Sequence, residues 1–288
     1  MKRVLITGKD SYIGTKFTRW LSQWPDKYKV EEVDLKDASW KEKDFSYYDV
    51  VFHVAGIAHV SADPNLKDLY YKVNKDLAID AAIKAKTDGV KQFVFMSSII
   101  VYGDSSSDKR IITKDTEPAP SNFYGDSKLQ AEKGLKDLED ESFKVVILRP
   151  PMIYGEGSKG NYPKLAKAAV KLPFFPDIDN KRSMLHIDNL CEFIRLIIEN
   201  GETGLFYPQN TEYVKTSDMV RLIAKVHGKD IALTKIFNPI LKLFSSRVGI
   251  INKVFGNLVY DKDISEYKQN YRVRDLEESI KLTELEKI

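Results

Sequence analysis

Tyr124 and Lys128, in Tyr124-Gly125-Asp126-Ser127-Lys128, put a phenol and an ammonium on one helix face about one turn apart. A free phenol titrates near about 10, too high for proton exchange at neutral pH. A neighbouring ammonium and a cationic ring would lower it by stabilising the phenolate. Ser98 ends the apolar run Val90–Met96 with Ser97 and can offer a hydroxyl to the same substrate oxygen. Ser98, Tyr124 and Lys128 together form the acid/base set of a carbonyl–alcohol oxidoreduction. Tyrosine and lysine are common in this chain, and alone this spacing describes an exposed helix face. The order of the surrounding signals selects the chemical reading.

A strand-like run, Lys2-Arg3-Val4-Leu5-Ile6, opens the chain and leads into Thr7-Gly8-Lys9-Asp10-Ser11-Tyr12-Ile13-Gly14. A helical stretch follows, with Phe17, Trp20, Leu21 and Trp24 spaced to bury one side. Strand, tight turn and helix N-terminus are what a dinucleotide pyrophosphate needs. The full pattern would have glycine at 8, 11 and 14, and here Ser11 takes the middle place. Two readings stand open for its hydroxyl: it reduces backbone approach, or it hydrogen-bonds a phosphate.

A second strand, Lys29–Val33, ends at Asp34. A carboxylate there accepts hydrogen bonds from an adenosine ribose and repels a 2′-phosphate, favouring NAD over NADP. Only fourteen residues separate Asp34 from Asp49, so the helix between strands two and three is shortened or lost. Asp34 or Asp37 is then also placed to meet adenine. The third strand, Asp49–Gly56, ends in the small residues Ala55 and Gly56, over which a cofactor can pass. His53 lies inside that apolar run and reads as a buried, hydrogen-bonded core residue. His59 stands just past the strand with nothing to fix its position.

These residues resemble the extended short-chain dehydrogenase/reductase superfamily, in its nucleotide-sugar epimerase/dehydratase branch. The motifs run in the family's order over nearly the whole chain: TGKDSYIG (7–14), DVVFHVAG (49–56), YYKVN ending at Asn74, SSIIVYG (97–103), YGDSK (124–128), LRPPMIYG (148–155) and RSMLHIDN (182–189). The resemblance implies Tyr124 as catalytic acid or base, Lys128 as the residue that binds the nicotinamide ribose and lowers the phenol, and Ser98 at the reacting oxygen. It implies a cofactor site of Gly8, Ser11, Tyr12, Ile13, Gly14, Asp34, Ala55, Gly56, Asn74 and Pro151, with Tyr124 and Lys128. Asn161 and Arg182 fall where the family binds the diphosphate and base of a sugar nucleotide. Arginine suits that role because it meets a diphosphate with parallel charge-assisted hydrogen bonds. Two departures stand out. Met152 replaces an Asn the family often has. Ile99 and Ile100 occupy the Asp-Glu position of sugar 4,6-dehydratases, and two isoleucines cannot protonate a leaving hydroxyl, which argues against 4,6-dehydration.

Composition fits this class. The 288 residues include 45 basic and 42 acidic side chains, a near balance that gives no case for a nucleic-acid partner. Cys191 is the sole cysteine, so no intrachain disulfide can form, in keeping with a reducing cytoplasm. Cys191 lies in a helical apolar pattern, Leu190–Ile194, and reads as a packing residue. No signal peptide is expected before the first strand, no stretch of ~18 uninterrupted apolar residues could span a bilayer, and no metal cluster is expected.

Alternating strands and helices argue for an α/β fold, a doubly wound parallel sheet over residues 1–150, with Lys144–Leu148 as a further strand and Asp76–Lys86 as a helix. Residues 151–288 supply mainly a smaller, helical, substrate-binding portion with some segments returning to the sheet. Helices are expected around 161–171, 216–228 and 236–255. The last is amphipathic, with Ile236, Ile240, Leu243, Phe244, Ile250, Ile251, Val254 and Phe255 against Lys235, Lys242, Arg247 and Lys253. It is read first as a lid over the pocket and second as a membrane-surface element. The functional expectation is NAD-dependent oxidoreduction at C4 of a nucleotide sugar, UDP-linked, with a 4-epimerase ahead of an NAD(P)H-dependent 4-keto-sugar reductase. The competing class is a non-catalytic NAD or sugar-nucleotide binder. A homodimer through two helices of the cofactor domain is implied by the resemblance.

Overall fold

A computed structural model describes residues 1–58, 63–106, 111–239, 241 and 249–285. His59, Ile240, Lys242, Leu243, Phe244 and Arg247 lie outside the described residues. Of the expected 236–255 helix, residues 238, 239 and 241 and Gly249–Phe255 are described and helical, while 236 and 237 form a turn.

The chain divides into two units. The first comprises Met1–Gly103, Glu117–Pro150 and Leu190–Pro208; the second comprises Asp104–Thr116, Pro151–Asn189 and Gln209–Ile288.

The first unit is built on a six-stranded parallel sheet. Its order across the sheet is Gly204–Phe206, Lys144–Leu148, Gln92–Met96, Val50–His53, Lys2–Thr7, Tyr28–Val33. The inner strands are unbroken apolar runs because helices cover both faces. The order reverses between Lys2–Thr7 and Val50–His53. This switch point opens a crevice at the carboxyl ends of those two strands, where open α/β sheets bind ligands. Between strands two and three there is only a 3₁₀ turn, Ala38–Lys41, with Trp40 buried beneath it. Asp37 caps that turn by accepting from Ser39 N at 2.8 Å.

Helix Tyr12–Leu21 buries Phe17 and Leu21. Trp24 lies beyond its end and is half-buried, so the expected four-residue stripe is cut short. Helix Leu77–Thr87 buries Ala78, Ala81, Ala82 and Ala85 against the sheet. It continues upstream through a π-helical turn, Lys72–Asp76, into Lys67–Tyr71. Helix Ile187–Asn200 spans Cys191, which is buried.

In the second unit, helices Tyr162–Lys171, Thr216–Val226 and Leu276–Leu285 enclose a core that includes Tyr154, Leu165, Met219, Ile223 and Ile280. Short parallel pairs join Met152–Tyr154 to Met184–His186, Phe174–Pro176 to Ala232–Thr234, and Ile111–Ile112 to Val259–Tyr260. No helix among the described residues is long and apolar enough to cross a membrane.

Candidate active site

Helix Phe123–Lys136 carries the tyrosine and lysine. Asn122, in extended conformation, caps its first turn by accepting from Gly125 N at 3.0 Å. Tyr124 therefore leaves from the first turn, and Lys128 follows on the same face. The helix sits very close to the turn Ile99–Tyr102. A Cβ on Gly125 would stand 2.7 Å from the Ile100 carbonyl oxygen and 3.0 Å from Pro120 Cβ. Tyr70, fully buried, meets the rings of Phe123 and Tyr124 edge-on at 4.8 and 5.9 Å between centroids.

Ser98 caps the turn Ile99–Tyr102, its Oγ accepting from Ile100 N at 3.3 Å. The Ser98 side chain also favours the Tyr124 phenolate. Burial outweighs this contribution and pushes the Tyr124 phenol up to about 12. Lys128 Nζ donates to Met96 O at 2.9 Å and lies 4.6 Å from the Phe95 ring centroid. Burial pushes Lys128 down to about 8, with the Glu132 carboxylate pulling the other way. Sequence reasoning expected a phenol lowered by its amine. Desolvation dominates both groups and moves each in the direction that favours its neutral form.

The floor beside Lys128 is Gly56, where an added Cβ would lie 3.3 Å from Lys128 Nζ and 2.9 Å from Asn74 Oδ1. Asn74, on the π-helical turn and fully buried, clamps that loop. It accepts from Ile57 N at 2.9 Å and donates to Ile57 O at 3.0 Å and to Ser127 Oγ at 3.3 Å. A π turn inside a helix is a frequent mark of a functional site. Nothing in the sequence spacing signals the π turn.

The glycine turn lies at the switch point. Gly8 has φ +100, and a Cβ there would meet Ala55 N at 2.9 Å and Ala55 Cα at 3.0 Å. Only glycine lets this turn close against the third strand. Ser11 is the N-cap of helix Tyr12–Leu21, accepting from Gly14 N at 3.2 Å. The hydroxyl in the middle glycine's place thus fixes the turn from within. A Cβ on Gly14 would be 2.6 Å from Ser11 Oγ and 3.1 Å from Ile6 Cγ2. Tyr12 and Ile13 form the helix's first turn, whose N–H groups lack intrahelical partners. Asp34 follows strand Tyr28–Val33 and accepts from Lys36 N at 3.0 Å. A glycine cradle closed against Ala55, a helix N-terminus and a carboxylate after strand two fit an adenine dinucleotide.

His53 is buried. Its Nδ1 shares a hydrogen bond of 2.9 Å with Thr7 Oγ1, and its ring stacks on Phe93 at 5.6 Å. Burial and the Lys128 charge hold it down to about 3. It is a neutral core residue, as the apolar run implied.

Pro151, Asn161 and Arg182 belong to the second unit. Pro151 is buried. Asn161 precedes helix Tyr162–Lys171 without a side-chain cap bond. Arg182 Nη1 donates to Lys253 O at 3.1 Å and Gly256 O at 3.3 Å, meeting the C-terminal end of helix Gly249–Phe255. It is therefore more than the solvated charge its neighbour Lys181 would suggest.

The model of the NAD dependent epimerase/dehydratase family matches residues 4–207. The chain is 31% identical to a UDP-glucose 4-epimerase from Vibrio cholerae, over 93% of this chain and 89% of that one. Two solved structures share the fold. A dTDP-4-dehydrorhamnose reductase from Clostridium acetobutylicum has TM-score 0.76 and 19% identity, covering 99% of this chain and 100% of its own. A UDP-glucuronic acid 4-epimerase from Bacillus cereus has TM-score 0.74 and 18% identity, covering 98% and 97%. With a family match over residues 4–207 and a relative 31% identical over 93% of the chain, the chain belongs to the NAD-dependent epimerase/dehydratase family, as a nucleotide-sugar epimerase/reductase.

Proposed function

We propose that this chain is a 4-epimerase of a UDP-linked hexose, working at C4 with NAD. The observation that carries this is the convergence in one unit of Ser98, whose side chain favours the Tyr124 phenolate, and Lys128, fixed beside Gly56 by Met96 O. When bound, NAD supplies a hydride acceptor and donor for C4 and a ring cation. Tyr124 Oη takes the proton of the C4 hydroxyl and returns one to the same oxygen after the sugar has turned. With the sugar in place, Ser98 Oγ turns its single proton from Tyr124 to that oxygen. Lys128, when protonated, offsets the burial that keeps the phenol neutral. Acid–base help of this kind supplies ~10²–10⁴-fold, so holding the sugar in place carries much of the remainder.

The cofactor residues in this reading are Gly8, Ser11, Tyr12, Ile13, Gly14, Asp34, Ala55, Gly56 and Asn74, with Pro151 near the nicotinamide. Asn161 and Arg182 are assigned to the sugar nucleotide. Residues 1–150 are assigned chiefly to cofactor and 151–288 chiefly to substrate. The V. cholerae relative, a UDP-glucose 4-epimerase, supports the sugar and nucleotide class. A homodimer is part of the proposal, supported by the exposed Leu69 and Ile83 on the helical segments Lys67–Tyr71 and Leu77–Thr87. The second reading, a 4-keto-sugar reductase with the same trio, is favoured by Met152 in place of the family's Asn.

Tyr124→Phe tests the assignment. It should cut turnover at least ~10²-fold while NAD binding, followed by fluorescence or calorimetry, stays near wild type. Turnover at the wild-type rate would remove Tyr124 from the chemistry.

A further inference from the structure

A buried carboxylate and guanidinium, which the proton chemistry above does not use, adjoin the site. Glu132 stands one helical turn beyond Lys128 and is 4% exposed; Arg149, after strand Lys144–Leu148, is 6% exposed. Arg149 Nε reaches Glu132 Oε1 and Oε2 at 3.1 and 3.2 Å, and its Nη2 donates to Oε2. Ser97 Oγ donates to Glu132 Oε1. Arg149 Nη1 donates to Tyr102 Oη at 2.5 Å, and the guanidinium lies 5.0 Å from the Tyr102 ring centroid.

The pair thus joins four elements: strand Gln92–Met96 through Ser97, the Lys128 helix through Glu132, strand Lys144–Leu148 through Arg149, and the turn Ile99–Tyr102 through Tyr102. Ser98 is held between two backbone bonds in the same place, Ser97 N to Leu148 O at 2.8 Å and Ile99 N to Pro150 O at 2.9 Å. A buried ion pair is weak evidence for stability, since apolar residues of like volume often serve as well or better. A role tied to charge and position explains this one.

We propose that Glu132 and Arg149 are positioning residues of the site: Glu132 locks the strand end bearing Ser98 to the helix bearing Lys128, and the two opposed charges together set the charge state of Lys128. The proposal rests on reading Lys128 as part of the acid/base set. Burial favours neutral Lys128, and the Glu132 carboxylate is the charge that opposes it. Two further titratable groups adjoin Lys128: Tyr124, one turn earlier on its own helix, and His53, whose proton affinity the Lys128 charge lowers. Both are neutral at pH 7, at about 12 and about 3. Arg149 stands behind Glu132 and partly cancels it.

A titration of Lys128 separates this from a purely structural role. The intact protein labelled with ¹³Cε-lysine is followed by NMR, with the Lys128 signal identified by its loss in Lys128→Met. Glu132→Gln leaves Arg149 unopposed and should lower the Lys128 midpoint by about one pH unit or more. Arg149→Gln leaves the carboxylate unopposed and should raise it. Shifts in the same direction, or none, would overturn the proposal. Should either single variant fail to fold, Glu132→Gln with Arg149→Gln removes both charges together. Its midpoint should fall below wild type, and a midpoint equal to or above wild type would overturn the proposal. The titration needs no substrate, so its outcome is independent of whether the C4 reaction is correctly assigned.

Discussion

Burial sets the proton affinities around the site, and each group answers according to which of its forms is neutral. Lys128 is held at about 8, Tyr124 at about 12 and His53 at about 3. In the proposed reaction Tyr124 acts as a base once positive charge at the site offsets this burial. His53 gives a stability signature that needs no substrate. Its folded value lies below the ordinary 6.5, so below about 6.5 the unfolded chain takes a proton that the native chain refuses. Stability is therefore lost as pH falls through the window from 6.5 toward about 3, by roughly 1.4 kcal/mol per pH unit. His53→Gln should remove about 1.6 kcal/mol of the stability difference between pH 6.5 and 5, read as urea unfolding free energies. An unchanged difference in the variant would mean that His53 titrates normally.

At this scale the sequence was partly legible. Tyr124, Lys128, Ser98 and Gly8, the residues proposed for the site, stand out through local spacing, because their neighbours along the chain fix their geometry. Glu132, Arg149 and Ser97 do not, since their bonds join residues far apart in sequence. Nor did spacing reveal that Ser11 caps its own helix, because either use of its hydroxyl fits the same pattern.

At the scale of elements, close approach is the recurring device. Helix Phe123–Lys136 reaches the Ser98 turn because Gly125 has no side chain. Gly125→Ala should force the helix away from the Ile100 carbonyl, at a cost of about 1–3 kcal/mol for overpacking. It should lower kcat more than it raises KM, since Tyr124 is the next residue and displacement of about 1 Å can cost ~10²-fold. Steady-state kinetics and thermal unfolding of this variant check both. Wild-type kcat would show that the close contact is incidental. The sheet strands were legible because double-sided burial demands unbroken apolar runs, and Lys144–Leu148 matches its expected bounds. The helix Leu276–Leu285 and the edge strand Gly204–Phe206 were not read. The strand is three residues long with Leu205 exposed, which leaves no periodic signal.

At the scale of the whole molecule, the chain is continuous in neither unit. Asp104–Thr116 belongs with the second unit and Leu190–Pro208 with the first. In the first, the added segment brings the strand Gly204–Phe206 to the sheet edge. In the second, Ile111–Ile112 pairs with Val259–Tyr260. The second unit also has its own buried polar centre: Tyr162 Oη donates to Glu284 Oε1 at 2.9 Å, and His227 Nε2 lies 2.8 Å from Glu284 Oε2. Such segment exchange follows from pairings distant in sequence, which local patterns do not encode.

The central claim is redox at C4 that begins and ends with the same cofactor state. Purified protein holding its NAD, given a UDP-hexose and no added nucleotide, should yield the C4 epimer by ¹H NMR until both epimers reach equilibrium from either side. No epimer from any UDP-hexose, together with one NADH or NADPH consumed per 4-keto sugar reduced, would contradict it.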